Sequence, residues 1–255
     1  MKLLIPARGV MKKTVVPMCL IGALAGIALP VSAITITANS PKPEWKPVVD
    51  DAVAEWSALV GGKDGLKLQI TIDIDSSIGG SDLGSTVTYD VNSDGKPDRA
   101  DISLASGLNW TVGPPVVGKY DALAVLKHEI GHALGWGNSS SFYGYVAQPG
   151  GDNTNRWFDF YDDDTYDPAW DVDLEDGTTD TGKPDYHAAP GTGDVMEGNL
   201  DEAQRRHPGL RDFAVLSRVY GYMYPDVPAV PEPETWALMV AGLGILGAIR
   251  RRRPS

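Results

Sequence analysis

Cysteine is almost missing from this sequence of 255 residues, because Cys19 is the only one. A single cysteine excludes an internal disulfide framework, so the fold must depend on a hydrophobic core, on bound metal, or on both. The chain also lacks a periodic arrangement of glycine and proline and any sustained apolar heptad. These absences exclude a collagen-like fibre and a long coiled coil.

Basic residues are scarce in the middle of the chain. The sequence has 22 Lys and Arg residues against 34 Asp and Glu residues, and its formal net charge is −12. Eight of the basic and two of the acidic residues lie outside residues 34–231, so this region keeps 14 basic and 32 acidic residues, a net charge of −18. A surface of that sign repels phosphate backbones, and we expect no binding to nucleic acid.

The first 33 residues have the composition of a secretory signal peptide. Two lysines (12–13) precede an apolar stretch (15–29), and small residues at 31–33 favour cleavage by signal peptidase. A membrane anchor is the alternative, but Pro17 and Pro30 make the apolar run shorter than the ~20 residues that span a bilayer. The sequence therefore predicts export.

The C-terminal segment, residues 230–255, has three parts. Pro231-Glu232-Pro233 comes first, an apolar run (236–249) follows, and four arginines (250–253) come after it. This order resembles the PEP-CTERM sorting signal of Gram-negative bacteria. The resemblance implies transient membrane insertion of the short apolar run, processing by a membrane-embedded exosortase, and a final location at the cell surface, in the extracellular matrix or in the medium. An ordinary tail anchor is the alternative.

The body between these ends, residues 34–229, is predicted to be one α+β domain with a single core. The apolar spacing predicts helices at 46–60, 120–134 and 210–220 and strands at 66–74, 85–89 and 100–105. Asp121 is a suitable N-cap for the second helix, and Gly135 is a suitable terminator. Residues 139–186 show no periodicity, which predicts a long insertion without clear regular structure.

The sequence HEIGHALG, residues 128–135, carries the clearest chemistry. On a helix, His128 and His132 lie one turn apart on one face, so both imidazoles can reach one zinc ion. Glu129 lies beside them and is placed to take a proton from a zinc-activated water. The same motif also occurs by chance on helices with merely solvated histidines. Because two of the four histidines lie in this strongly apolar helix, we expect zinc binding.

These residues resemble the HExxHxxG motif of the metzincin metallopeptidases. In that family the glycine, here Gly135, lets the chain leave the helix and deliver a third ligand. The metzincin pattern places a histidine three residues later, where this chain has Asn138, a poor zinc ligand. Either the third ligand comes from elsewhere or the site is impaired.

His187 is the expected third zinc ligand. It lies nine residues before Met196, and Asp194-Val195-Met196 resembles the methionine turn (Met-turn) beneath the zinc of metzincins. A remote histidine after a long insertion resembles the layout of leishmanolysin-like peptidases. That resemblance implies a small mixed sheet packed on the active-site helix and a helical part after the turn. The alternative ligands are Asp185, Asp194, Glu175, Glu197 and His207.

The resemblance implies an exported zinc endopeptidase that acts on protein or peptide substrates, with Glu129 as general base. By analogy with metzincins, an extended substrate pairs with residues 100–104, taken as an edge strand. A non-catalytic surface or matrix protein that binds zinc or calcium is the alternative, and Asn138 keeps it open. An intact Glu129 argues against it, because a structural site needs no general base.

A calcium site is the prediction for residues 90–101. Oxygen ligands stand at EF-hand positions 1, 3, 5, 7, 9 and 12, with Gly95 at position 6. They are Asp90, Asn92, Asp94, the Lys96 carbonyl, Asp98 and Asp101. The spacing resembles dockerin loops, but both flanks look like strands, and the same residues favour a plain hairpin turn. Calcium and a simple turn are therefore equal alternatives.

Overall fold

The computed structural model describes residues 32–62, 67–78, 82–147, 156–160, 166, 171–175 and 186–223. Most of the signal segment, Asp185 and the C-terminal segment with its short apolar run lie outside these residues. In the described part of the chain, no helix combines the length and the apolar character that crossing a membrane requires.

Helices and short strands are mixed along the described chain, which confirms the α+β prediction. The helical elements are a 3-10 helix (Pro43–Trp45), α1 (Lys46–Leu59), α2 (Ala122–Ala133), α3 (Ser140–Tyr143) and α4 (Leu210–Tyr220). The strands are β1 (Ser32–Ala33), β2 (Thr35–Ala38), β3 (Gly61–Gly62), β4 (Lys67–Asp75), β5 (Gly84–Tyr89), β6 (Arg99–Ala105), β7 (Trp110–Thr111), β8 (Tyr120–Asp121), β9 (Val146–Ala147), β10 (Trp157–Phe158) and β11 (Val172–Asp173). β1 pairs with β3, so two residues assigned to the signal peptide are paired with the body.

The main sheet has the strand order β2-β4-β6-β5. β2, β4 and β6 run parallel, and β5 pairs antiparallel with β6. Alternate residues on one face of the two central strands are buried: Leu68, Ile70, Ile72, Ala100, Ile102 and Leu104. α1 and α2 pack against each other, α1 contacts β2, and α2 contacts β5 and β6. Both helices therefore contribute to the core on one side of the sheet.

The prediction that residues 100–104 form an edge strand is wrong. Ile102 lies opposite Ile72 on one side and Thr86 on the other, so β6 is an interior strand. The cause is the hairpin between β5 and β6, which inserts β6 beside β4 and leaves β5 outermost. β5 is thus the sheet edge on the side of α2.

Both ends of α2 follow from side chains that the sequence identifies. The Asp121 carboxylate accepts a hydrogen bond from the Leu123 amide at 3.1 Å, which confirms it as the N-cap. The helix ends at Ala133, and Gly135 adopts a φ of +112°, a conformation that glycine tolerates. A Cβ at Gly135 would also overlap the Tyr220 ring, so a larger residue does not fit there.

The insertion at 139–186 has more structure than its sequence predicts. It contains α3 and a small sheet with the order β11-β10-β9, whose strands are each two residues long. Strands this short have no alternation that a sequence pattern can show. Their packing comes from an aromatic cluster of Trp136, Phe142, Tyr143, Tyr145, Phe158, Phe160 and Tyr186.

Candidate metal centre

Three histidines converge on one point at the C-terminal half of α2. The Nε2 atom of His132 lies 3.1 Å from Nε2 of His128 and 3.0 Å from Nε2 of His187. Among the described residues, these three form the single group of histidine, cysteine and acidic side chains compact enough to hold a metal ion. The structure therefore brings together two residues one helical turn apart and a third from 55 residues further along the chain.

The outward nitrogens of the two helix histidines contact backbone carbonyls. His128 Nδ1 lies 2.8 Å from the Val195 carbonyl, and His132 Nδ1 lies 2.8 Å from the Trp136 carbonyl. A proton on each Nδ1 leaves the lone pair on Nε2, which is the tautomer that ligates a metal in this arrangement. Burial, reinforced by the neighbouring imidazoles, holds the pKa of His128 well below its ordinary value, so the neutral ring is favoured.

His187 is held in place by backbone pairing and by the aromatic cluster. The Trp136 indole donates a hydrogen bond of 2.9 Å to the Tyr186 carbonyl, which ties the residue before His187 to the end of α2. On the other side, the Glu175 amide donates to the His187 carbonyl at 2.8 Å, and the Ala188 amide donates to the Met196 carbonyl at 2.9 Å. His187 thus lies between the end of the insertion and the turn at Met196.

The segment around Met196 packs against α2 and pairs with the residue after His187. Val195 and Met196 are fully buried, and the Met196 thioether contacts Gly131 of α2. The following residue, Glu197, is buried and pairs with Arg206 at 2.7 Å. The turn therefore supports His128 through the Val195 carbonyl, as described above, and contacts the helix through its methionine.

Glu129 points from α2 towards the edge strand β5. Thr86 donates a hydrogen bond of 2.6 Å to its carboxylate, and a Cβ at Gly84 would come within 2.6 Å of Oε1. The carboxylate is almost completely buried, and burial raises the pKa of Glu129 to about 7, against the opposing effect of the Thr86 hydrogen bond. A carboxylate beside the three imidazoles and held by one hydroxyl is suited to proton transfer.

Asn138, at the metzincin ligand position, contacts β5 instead. Its amide nitrogen lies 3.5 Å from the Thr86 carbonyl, at the limit of a hydrogen bond. The described alternative ligands do not join the histidine group either. Asp194 pairs with Arg211, and the His207 ring contacts Glu55 and Lys127 on the other side of α2.

The predicted calcium loop forms the connection between β5 and β6. Asp90 accepts hydrogen bonds from the Asp94 and Gly95 amides, and Asp98 accepts them from the Val91 and Asn92 amides and from the Asn92 side chain. Asp101 lies within β6 and pairs with Arg99 at 3.0 Å. The strand flanks are confirmed, and these contacts are those of a hairpin connection. Calcium binding by Asp90, Asn92, Asp94, Lys96, Asp98 and Asp101 stays a prediction.

Residues 229–253 match the PEP-CTERM protein-sorting motif. This motif implies export, processing by exosortase and association with the cell surface in a Gram-negative bacterium. The match overlaps the C-terminal segment, residues 230–255, for which the sequence predicts this signal. It concerns the transport of the protein and not the chemistry of residues 34–229. No curated protein matches the chain.

Two residues near the centre, Thr86 and Gly84, carry no signal in the sequence, and both accommodate Glu129. Glu175, an alternative ligand in the sequence, instead lies beside the outward nitrogen of His187, at 4.0 Å. Pairing between distant segments brings these residues to the centre. Only the fold reveals the contacts, because no spacing rule connects residue 86 to residue 129 or residue 175 to residue 187.

Proposed function

We propose that this protein is an exported zinc-dependent endopeptidase with a metzincin-like catalytic domain. The observation that carries the proposal is the convergence of three imidazoles, with ligand atoms within 4.8 Å of one another, beside the buried carboxylate of Glu129. A purely structural site uses four protein ligands, whereas three histidines with a neighbouring carboxylate are typical of a catalytic one.

The donor set fits zinc rather than a hard cation. Imidazole nitrogen suits zinc, while calcium and magnesium prefer oxygen ligands. His128, His132 and His187 would hold the ion. When bound, zinc supplies Lewis acidity, which polarises a substrate carbonyl and makes water more acidic.

Glu129 is the proposed general base and acid. Its carboxylate accepts a proton from the attacking water and then delivers that proton to the nitrogen of the leaving amine. Thr86 fixes the orientation of the carboxylate through its hydrogen bond of 2.6 Å. The fully buried Met196 supports the helix from below.

β5 is the proposed site of substrate pairing. Its outer edge is free of partners among the described strands, and Thr86 places it directly beside Glu129. An extended peptide can add to such an edge through main-chain hydrogen bonds, which hold the scissile carbonyl near the histidines. We assign substrate pairing to β5 instead of residues 100–104, because those residues form an interior strand.

Zinc stoichiometry and casein cleavage, measured on the same samples, test the proposal. We expect one zinc per chain in the parent, in Asn138→Ala and in Glu129→Gln, and little zinc in His187→Ala. Cleavage should fall by about 10²–10⁴-fold in Glu129→Gln. Glu44→Gln, at an exposed position of the 3-10 helix, is the matched control and should cleave like the parent.

The two possible failures have different meanings. Zinc that persists in His187→Ala contradicts the ligand assignment. Zinc in the parent without any cleavage of casein or of a mixed peptide library contradicts the peptidase and favours a non-catalytic surface protein.

A further inference from the structure

We propose that Glu175 is a positioning residue for His187 and increases the zinc affinity of the centre through that ring. The inference rests on the proposed zinc site. Glu175 lies in the insertion at 139–186. The proposal therefore gives the insertion a role in metal binding, in addition to the role of His187, which directly follows it. Glu175 is not a ligand in this proposal, because its carboxylate faces the ring nitrogen opposite the one that meets His132.

The first support is the contact itself. Glu175 Oε2 lies 4.0 Å from His187 Nδ1, and the two side chains are 22% and 24% exposed. This separation is longer than a direct hydrogen bond, so the interaction is an electrostatic contact in a partly desolvated place. His187 Nε2, the other ring nitrogen, lies 3.0 Å from His132 Nε2. The His187 ring therefore has the proposed zinc position on its Nε2 side and the Glu175 carboxylate on its Nδ1 side.

The second support is that the backbone fixes this contact. The Glu175 amide donates to the His187 carbonyl at 2.8 Å, and the Ala189 amide donates to the Asp173 carbonyl at 2.9 Å. Leu174 and Ala188 form an antiparallel bridge between the same two segments. The fully buried Arg156 also donates from its guanidinium to the Glu175 carbonyl. Paired segments thus hold the backbone of Glu175 beside that of His187, which keeps the carboxylate within reach of the ring.

The third support is Gly198, which leaves room for both groups. A Cβ at this position would lie 2.9 Å from His187 Nδ1 and would overlap Glu175 Oε2. The Asn199 side chain, one residue later, lies 3.5 Å from Glu175 Oε1. The imidazole and the carboxylate therefore share a space that only glycine leaves open.

The chemistry of this contact differs from that of the other two histidines. His128 and His132 contact neutral carbonyls, whereas His187 faces an acidic side chain. A carboxylate near Nδ1 favours a proton on that nitrogen, which keeps the lone pair on Nε2 and makes Nε2 a better electron donor. Loss of a hydrogen-bonded carboxylate typically weakens metal affinity by about 10–100-fold, and we expect the lower end of this range for a contact of 4.0 Å.

Competition with a fluorescent zinc chelator measures the effect directly on the purified protein. We expect zinc affinity to fall by about 10-fold in both Glu175→Gln and Glu175→Ala, with a larger loss in His187→Ala. Glu44→Gln, which is exposed and far from the histidines in sequence, should bind zinc like the parent. Nitrogen-15 NMR of the metal-free protein should show a larger share of the Nε2-protonated His187 tautomer in Glu175→Gln, a signature that lost packing alone does not give.

The outcomes separate this inference from the proposed function. Parent-like zinc affinity in both Glu175 variants, together with weak binding in His187→Ala, overturns the role of Glu175 and leaves the zinc site intact. Parent-like affinity in His187→Ala as well contradicts the ligand set itself. If Glu175→Ala does not fold, the isosteric Glu175→Gln decides, and an unchanged His187 tautomer in it also overturns the proposal.

Discussion

The thioether of Met196 lies against the backbone of Gly131, in the last turn of α2. A Cβ on Gly131 would overlap the Met196 sulfur and would lie 3.1 Å from Cζ2 of Trp56. Both Met196 and Trp56 are fully buried, so neither side chain has free space to move into. Glycine usually weakens a helix interior by about 1 kcal/mol relative to alanine. Here it allows the turn at Met196 to contact the helix that carries His128 and His132.

Gly131→Ala should therefore destabilise the protein despite the better helix propensity of alanine. Overpacking of a filled core typically costs about 1–3 kcal/mol, and the gain in propensity offsets part of it. Urea denaturation of the metal-free protein measures the change. Zinc affinity should fall in the same variant, because the displaced turn also carries the Val195 carbonyl that contacts His128.

Two controls make the Gly131 prediction specific. Gly107→Ala meets nothing within 4 Å and should leave the free energy of unfolding close to that of the parent. In a Met196→Ala background, the added methyl group at Gly131 no longer meets the sulfur, so the same substitution should cost less. An equal cost in both backgrounds contradicts the contact as the cause.

Local patterns in the sequence predicted the elements of the active-site half well. The last helix was expected at 210–220 and occupies Leu210–Tyr220, and the zinc-motif helix, expected at 120–134, occupies Ala122–Ala133. These elements depend on apolar spacing and caps within a few residues, which a sequence displays directly. The three histidines were also selected from motif spacing and family layout, and the structure places them together.

The pairing between segments that are distant in the chain could not be predicted from the sequence. An interior strand and an edge strand with one buried face show the same alternation, so Ile102 gave no sign that β6 has two neighbours. The insertion was predicted, but its regular structure was missed for a related reason. Its strands are too short to show a period, and its core depends on contacts such as that between Trp136 and Tyr186, 50 residues apart.

Thr86→Val should slow peptide cleavage without removing zinc. The substitution keeps the shape of the side chain but deletes the donor that holds the Glu129 carboxylate at 2.6 Å. Hydrogen bonds to charged groups contribute about 1.5–3 kcal/mol, so kcat/KM should fall by at least about 10-fold. Thr37→Val, at an exposed position of β2, is the matched control and should cleave like the parent. Loss of zinc from Thr86→Val would instead indicate a disturbed fold.

Removal of only the cation from the ion pair between Arg206 and Glu197 should lower the free energy of unfolding. Their side chains are 11% and 3% exposed, and Glu197 also accepts hydrogen bonds from Thr192 and the Gly193 amide. Arg206→Met leaves the carboxylate buried without its cation, and we expect a loss of about 3–5 kcal/mol in unfolding free energy. Adding Glu197→Gln should recover part of that loss. A double variant no more stable than Arg206→Met contradicts the uncompensated charge as the cause.

Asp212 should make stability depend on pH. It is fully buried at the start of α4, where its carboxylate accepts a hydrogen bond of 2.8 Å from the Gly209 amide. Burial raises the pKa of Asp212 to about 7, from the ordinary aspartate value of 3.8. Between these values the folded protein keeps the proton that the unfolded chain has lost. The contribution is therefore fully present below pH ~4 and is lost as the pH rises through about 7.

Asp212→Asn should flatten this dependence, because an amide keeps the acceptor and does not titrate. Each pKa unit corresponds to about 1.4 kcal/mol, so between pH 4 and 8 the variant should lose about 4 kcal/mol less stability than the parent. Urea denaturation at several pH values, in the presence of a chelator, measures both curves. The pKa of Glu129 is also raised to about 7, so the variant keeps part of the slope. Parallel curves for parent and variant across this range would show that Asp212 ionises in the folded protein as readily as in the unfolded chain.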